Sequence, residues 1–336
     1  MSPTQTPDVA QHTRPLTTLQ SWILAEEAKH PGATGAFSWV LSALSISAKV
    51  IASKMRRARL EDVLGSLGTD NVQGEEQQKL DVIANDVLTA ALGGREGVAV
   101  VASEEEDKPL VLRADPTGER RYCVLFDPLD GSSNLDVAGG VGTIFSVLRF
   151  DRRCDDPADS VLQPGVQQAA AGYILYGSST VFVLTTGNGV SMFVLDPEIG
   201  AFLLVEDNVR IPNSKPIYSC NEGNSDSFPD GYRRYLADVK REGYSSRYAG
   251  AMVADVHRTL LKGGVFFYPP TAKAPAGKLR LLYEANPMAM VIEQAGGKAL
   301  TGTERLMDLR PTDVHQRTGV VMGSPAEVDK LSAYLG

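Results

Sequence analysis

The heptapeptide Asp127-Pro128-Leu129-Asp130-Gly131-Ser132-Ser133 sets two carboxylates close together and follows them with Gly-Ser-Ser. A second acidic cluster, Ser103-Glu104-Glu105-Glu106-Asp107, precedes it, and a third is formed by Gly74-Glu75 with Asp81 further on. Carboxylates gathered at one place repel one another unless cations bind between them. Ligand sets made of oxygen alone, without His or Cys, select hard ions such as Mg²⁺ or Mn²⁺. The chemistry this suggests is metal-assisted hydrolysis at phosphorus.

Each residue of the heptapeptide has a role in such a site. Asp127 and Asp130 can each ligate a metal, and the Leu129 carbonyl between them offers a third oxygen. Pro128 stiffens the turn and removes a donor. Gly131-Ser132-Ser133 permits a tight backbone whose N–H groups can cradle a phosphate where a helical turn begins. Glu104–Asp107 alone would read as a solvated charge run. Asp81 alone would read as a helix acid, half-buried because it lies in line with Ala84 and Leu88. The three clusters together favour a functional site over three unrelated surface features.

The elements that must position these residues follow from periodicity. Residues 17–29, 37–60 and 76–92 carry apolar positions at helical spacing. Short β-rich runs follow at 98–102, 121–126, 142–150, 170–176 and 180–185. The Ser103–Asp107 cluster and the Asp127–Ser133 heptapeptide follow the first two of these strands, so one sheet edge can collect both. Residues 228–243 and 251–262 read as helices, 265–268 as a strand and 325–335 as a last helix. Residues 280–295 read as a helix that Pro287 starts, kinks or breaks. Helices and strands alternate without a regular βαβ rhythm, which implies layered α/β packing around large sheets. The chain divides into a disordered arm at 1–15, an N-terminal domain at 16–209 and a C-terminal domain at 210–336, with loop-like NVRIPNSKPIY at the boundary.

The 336 residues carry 33 Lys plus Arg against 41 Asp plus Glu, a formal charge of −8, which argues against general nucleic-acid binding. Cys123, Cys154 and Cys220 form no zinc spacing, and a reducing cytoplasm is the expected compartment. The polar first residues lack the apolar core of a signal peptide, and no apolar run reaches the roughly 18 residues of a membrane span. His257 falls in an apolar helix and is read as structural. No GxxxxGK[ST] occurs, which excludes a P-loop kinase.

FDPLDGSSN resembles the metal-dependent phosphatase superfamily that includes inositol monophosphatases and fructose-1,6-bisphosphatases. GEEQQKLDVIAND, ASEEED, LQPG, AAGYILYGS, NEG, RYAGAMVADVHRTL and GKLRLLYEANPMAMVIEQAGG are similar to class I fructose-1,6-bisphosphatases, over roughly residues 16–335. The last two blocks distinguish that family within the superfamily. The resemblance implies an α-β-α-β-α sugar-phosphatase fold with two mixed sheets and helices between and outside them. It implies two or three Mg²⁺ or Mn²⁺ ions held by Glu104, Glu105, Asp127, the Leu129 carbonyl, Asp130 and Glu284. Glu75, where many members have Asp, would complete the ligands, with Asp81 and Glu105 orienting or deprotonating the attacking water. The Gly-rich residues 61–75 would form a lid.

Substrate contacts implied by the resemblance are Asp130, Gly131, Ser132, Ser133, Asn221, Arg247, Tyr248, Tyr268 and Lys278, with Arg280 close to the metals. Arg247 would reach the active site of a neighbouring subunit in a homotetramer. Asn224 and Ser225 replace a Tyr often found near NEG. An inhibitory AMP site would use Thr34, Gly35, Ser38, Arg121, Tyr122 and Arg149; Ala36 and Arg121 depart from the mammalian pattern of Glu and Lys. The 151–161 segment holds only Cys154, so no thioredoxin-type disulfide switch is expected. The implied reaction is hydrolysis of the 1-phosphate of fructose 1,6-bisphosphate, in gluconeogenesis or the Calvin cycle. Rival expectations are a sedoheptulose-1,7-bisphosphatase, a dual-substrate enzyme and a non-catalytic sugar-phosphate sensor.

Overall fold

The computed structural model describes residues 16–29, 35–61, 63–70, 76–113 and 121–336. The 1–15 arm, Thr34 and Glu75 therefore lie outside the described residues. The first helices among the described residues are α1 (Leu19–Ala28) and α2 (Ala36–Arg56). Thr18 caps α1 by accepting from the Ser21 N–H. The hairpin strands β1 (Ser66–Asp70) and β2 (Glu76–Gln78) lead into α3 (Lys79–Gly93). Residues 66–70 of the expected lid thus pair with residues 76–78, just beyond it, as a short antiparallel ribbon.

Strands β3 (Val98–Ser103), β4 (Leu110–Val111), β5 (Tyr122–Asp130), β6 (Val141–Arg149), β7 (Gln168–Tyr176), β8 (Thr180–Thr185), β9 (Ser191–Asp196) and β10 (Ala201–Glu206) form one sheet. Its order is β10-β9-β8-β7-β6-β5-β3-β4. Within it β3 and β5 are parallel and the remaining pairs antiparallel. That parallel pair matters most, because it carries the Ser103–Asp107 cluster and the Asp127–Ser133 heptapeptide to the same edge.

The remaining elements are β11 (Ile217–Ser219), α4 (Asp230–Arg241), β12 (Ser245–Ser246), α5 (Met252–Lys262), β13 (Val265–Tyr268), β14 (Leu279–Arg280), α6 (Asn286–Gln294), β15 (Lys298–Thr301), β16 (Glu304–Arg305), β17 (Arg317–Thr318), β18 (Val320–Gly323) and α7 (Pro325–Ser332). A second mixed sheet runs β12-β11-β13-β18-β15-β16. The helix expected over 280–295 is shorter than that span, and of the three roles offered for Pro287 the structure has it start the helix. The span divides into β14, a π-helical turn at Leu281–Ala285 and α6, with Pro287 in the first turn of α6. Proline lacks the N–H that a helix interior needs, so it belongs at that start.

Three apolar interfaces set the layers. Val40, Leu44 and Ile51 of α2 and Leu88 of α3 pack on Phe126, Phe145 and Phe182 of the large sheet. Its other face, with Ile144 and Tyr173, packs on Val253 and Val256 of α5 and Met288 and Ile292 of α6, and these meet Phe266 and Met322 of the second sheet. Phe267 and Val321 on the far side of that sheet pack on Tyr235 of α4 and Val328 of α7. The order is α-β-α-β-α. Strands covered on both faces bury every residue, as β3 and β5 do. Ala36–Arg57 is long and apolar enough to cross a membrane by length and composition, yet half of it is buried within the protein in the manner of a core helix. The cysteines are free, with Cys123 and Cys220 buried.

Candidate active site

The turn after β5 is fixed by its own polar atoms. Asp127 Oδ1 accepts from the Leu129 N–H at 2.9 Å, and the Pro128 carbonyl accepts from Thr143 Oγ1 at 2.9 Å. Asp130 Oδ2 accepts from the Val253 N–H at the start of α5, at 2.7 Å. Gly131 then adopts φ +77° and a 3-10 helix runs over Ser132–Val137. A side chain at Gly131 would meet Ala251 Cβ at 2.3 Å, so both the left-handed backbone and the close approach require glycine.

Glu284 reaches the same place from the π-helical turn, a distortion that often marks functional residues. Carboxylate oxygens of Asp127, Asp130 and Glu284 lie within 4.8 Å of one another. Glu104 joins them as a buried acid, and Arg280 Nη2 lies 2.9 Å from its Oε1. The Arg280 N–H donates to Glu284 Oε2 at 2.5 Å. The Glu104–Asp107 run thus splits: Glu104 faces inward, Glu105 is partly buried, and Glu106 and Asp107 are exposed. Gln77 Nε2 donates to Glu105 Oε2 at 2.6 Å.

Asp81 is more buried than the half-buried position expected of it. In the first turn of α3 it accepts from the Gln78 N–H at 3.0 Å, while the Ser132 hydroxyl also lies against it. Burial raises its carboxyl to about 7, aided by Glu105 and Glu104. Burial likewise raises Asp130 to about 7, although the Val253 N–H opposes the shift. Asp127 is pushed well above the usual carboxylate range by burial and then by Glu104, Asp130 and Glu284. Carboxyls held in this state favour protons or cations over ionisation alone. Their all-oxygen chemistry fits a hard divalent metal.

An open cavity of about 450 Å³ joins these groups. Asp81, Glu104, Glu105, Asp127, Asp130 and Glu284 line it together with Gly131, Ser132, Ser133, Tyr248, Tyr268, Lys278 and Arg280. Leu129, Asn221 and Arg247 do not line it. Asn221 caps a 3-10 helix by accepting from the Gly223 N–H, and Arg247 is exposed, donating to the Ser246 carbonyl. Arg280, expected as a substrate contact, is buried beside Glu104 and Glu284. Gln78, Gly250, Met252, Phe266 and Leu279 also line the cavity and were not anticipated. The apolar residues among them carry no chemical signature that sequence reading could use.

Of the residues expected to bind AMP, Gly35 caps α2 in the left-handed region. Tyr122 on β5 stands opposite Arg149 on β6. The Ser38 hydroxyl donates to the Glu27 carboxylate, which sets an acid beside the expected phosphate position.

Layered folds of this kind, with a buried acid cluster at the edge of the first sheet, define the sugar-phosphatase class. Residues 17–207 match Fructose-1-6-bisphosphatase, N-terminal domain, and residues 211–336 match Fructose-1-6-bisphosphatase, C-terminal domain. The chain belongs to the class I fructose-1,6-bisphosphatase family. It is 51% identical over 318 residues to Fructose-1,6-bisphosphatase class 1 of Persephonella marina, covering 94% of this chain and 98% of the relative. The holo form of Leishmania major fructose-1,6-bisphosphatase superposes with a TM-score of 0.90 at 41% identity, covering 96% of this chain and 99% of that one. Its T-state superposes at 0.85 with the same identity and coverage.

Proposed function

We propose that this chain hydrolyses the 1-phosphate of D-fructose 1,6-bisphosphate, giving D-fructose 6-phosphate and inorganic phosphate. The observation that carries this is one cavity lined both by the buried acids and by Tyr248, Tyr268 and Lys278. Glu104, Glu105, Asp127, the Leu129 carbonyl, Asp130 and Glu284 would hold two or three Mg²⁺ or Mn²⁺ ions, with Glu75 as a further acid. When bound, such ions neutralise phosphate charge and make water a better nucleophile. Asp81 and Glu105 orient the water, and one of them takes its proton as it attacks phosphorus. The bond from phosphorus to the sugar oxygen breaks, and the acid so protonated gives that proton to the sugar oxygen, which leaves as an alcohol. N–H groups of Gly131–Ser133 stabilise charge on the phosphoryl oxygens. Lys278, Tyr248 and Tyr268 hold the second phosphate, and a point-charge lysine suits that task.

We also assign the acid cluster mainly to residues 16–209 and the second-phosphate grip to 210–336. The active form in this proposal is a cytoplasmic homotetramer in which exposed Arg247 reaches a neighbouring active site, with half-buried Asn221 a further substrate contact. AMP inhibition through Thr34, Gly35, Ser38, Arg121, Tyr122 and Arg149 is part of the proposal, with Glu27 as its competitor for Ser38. The test is phosphate release from fructose 1,6-bisphosphate, sedoheptulose 1,7-bisphosphate and inositol 1-phosphate with Mg²⁺, with and without EDTA. EDTA-sensitive turnover led by the fructose substrate supports the proposal. Preference for the sedoheptulose substrate moves the specificity, and no turnover of any substrate would refute it in favour of a sensor.

A further inference from the structure

Asp255 stands in the first turn of α5, buried, and does not line the cavity. Its carboxylate is nevertheless fully engaged. Oδ1 accepts from Ser219 Oγ at 2.8 Å and from the Ala249 N–H at 2.8 Å. Oδ2 accepts from the Gly250 N–H at 3.1 Å. A buried carboxylate held by several donors is a strong local constraint, because losing any partner strands a polar group away from water.

These partners have a common location. Ser219 ends β11, just before Cys220 and Asn221. Ala249 and Gly250 follow Tyr248, and both Tyr248 and Gly250 line the cavity. Gly250 sits at φ +83°, so the loop turns there in a conformation that side chains resist. Asn134 Nδ2, one residue beyond Ser133, donates to the Ala249 carbonyl at 3.2 Å. The loop 247–251 is thereby held between Asp255 on one side and the Gly-Ser-Ser turn on the other. The same α5 turn offers the Val253 N–H to Asp130.

We infer that Asp255 is a positioning residue for recognition of the second phosphate. Its carboxylate fixes the 247–251 loop, and with it Tyr248, in register with the acid cluster that α5 holds through Asp130. The charge of Asp255 is directed at N–H and O–H donors, so it shapes the anion site without facing the anion. This inference rests on the cavity being a bisphosphate site.

The experiment compares kcat and KM of wild type and Asp255→Asn on fructose 1,6-bisphosphate and on fructose 1-phosphate, which lacks the second phosphate. Asparagine keeps one acceptor but turns an NH₂ toward the loop N–H groups. The expected result is a specificity for the bisphosphate over the monophosphate that falls by about tenfold or more, through KM, for loss of a hydrogen bond to a charged acceptor. Ser219→Ala removes a single partner and should move the same ratio by a smaller factor, which keeps the test decisive where Asp255→Asn fails to fold. An equal fall on both substrates, or an unchanged ratio in both variants, overturns the inference. A wild-type enzyme with no preference for the bisphosphate overturns the bisphosphate assignment itself, and is distinguishable because it needs no variant.

Discussion

Arg280 Nη2 lies 2.9 Å from Glu104 Oε1, and both side chains are almost wholly withdrawn from solvent. Arg280 is thus an internal cation for the acid cluster, with Glu284 as its second neighbour at 4.0 Å. Removing one partner of a buried pair leaves the other charge uncompensated. Arg280→Met should therefore destabilise the metal-free protein by about 3–5 kcal/mol, read from urea unfolding in EDTA. A loss within the scatter of surface substitutions would show that Glu104 is neutralised by protonation instead.

Metal removal should couple stability to pH in a defined direction. Burial raises Asp81 and Asp130 from an ordinary 3.8 to about 7. Between those values the unfolded chain ionises these acids while the folded chain keeps them protonated. Their relative stabilisation is complete below 3.8 and is lost as pH rises to about 7. The EDTA-treated protein should melt at progressively lower temperature as pH is raised from 5 to 8, on top of contributions from other groups. Added Mg²⁺ should raise the melting temperature most at the alkaline end, where carboxylates need no deprotonation to bind it. Thermal scans across that range check both trends, and a Mg²⁺ effect greatest at pH 5 would contradict them.

Asp130→Asn separates fold from chemistry. The amide oxygen can still accept from the Val253 N–H that Asp130 Oδ2 now accepts at 2.7 Å. The start of α5 should survive, with an unchanged circular dichroism spectrum. The negative charge facing Asp127 and Glu284 is lost, and phosphate release should fall by at least about two orders of magnitude, as for other groups that stabilise charge directly. Near-normal turnover would remove Asp130 from the metal ligands.

Most of the acid cluster was legible in the sequence because its residues lie in short motifs beside apolar runs. Asp127 and Asp130 follow β-formers, and Glu104 follows VAVVAS, so strand ends could be inferred from local pattern. Glu284 entered through the family resemblance, and as an acid in an apolar stretch it needs a partner. The π-helical turn that carries it was not legible, because the apolar residues before Pro287 read as part of the same helical run. Strands β15 and β18 were missed for a related reason. They are four residues each, and the burial of β18 depends on neighbours far along the chain, since it pairs with both β13 and β15. The role of Asp255 was equally hidden, since Ser219 and Ala249 come to it only through the fold.

His257 supplies a second pH dependence of opposite sign. Its Nδ1 lies 2.8 Å from the Tyr173 hydroxyl, at the contact between α5 and the large sheet. Burial lowers the imidazole from 6.5 to about 4 and raises the phenol, so the hydroxyl donates and Nδ1 accepts. The unfolded chain takes up a proton near 6.5 that the folded chain refuses. The stability contributed by the neutral ring is full above 6.5 and is lost as pH falls toward 4. His257→Leu would leave the buried Tyr173 hydroxyl without its acceptor and should cost about 1–3 kcal/mol at neutral pH. Unlike the wild type, the variant has no proton to gain at this position on unfolding. The gap between the two proteins should therefore narrow as pH is lowered from 7 to 4.5, measured by urea unfolding at each pH. Parallel curves over that range would mean that the ring is protonated in the folded protein and that Tyr173 has turned to another partner.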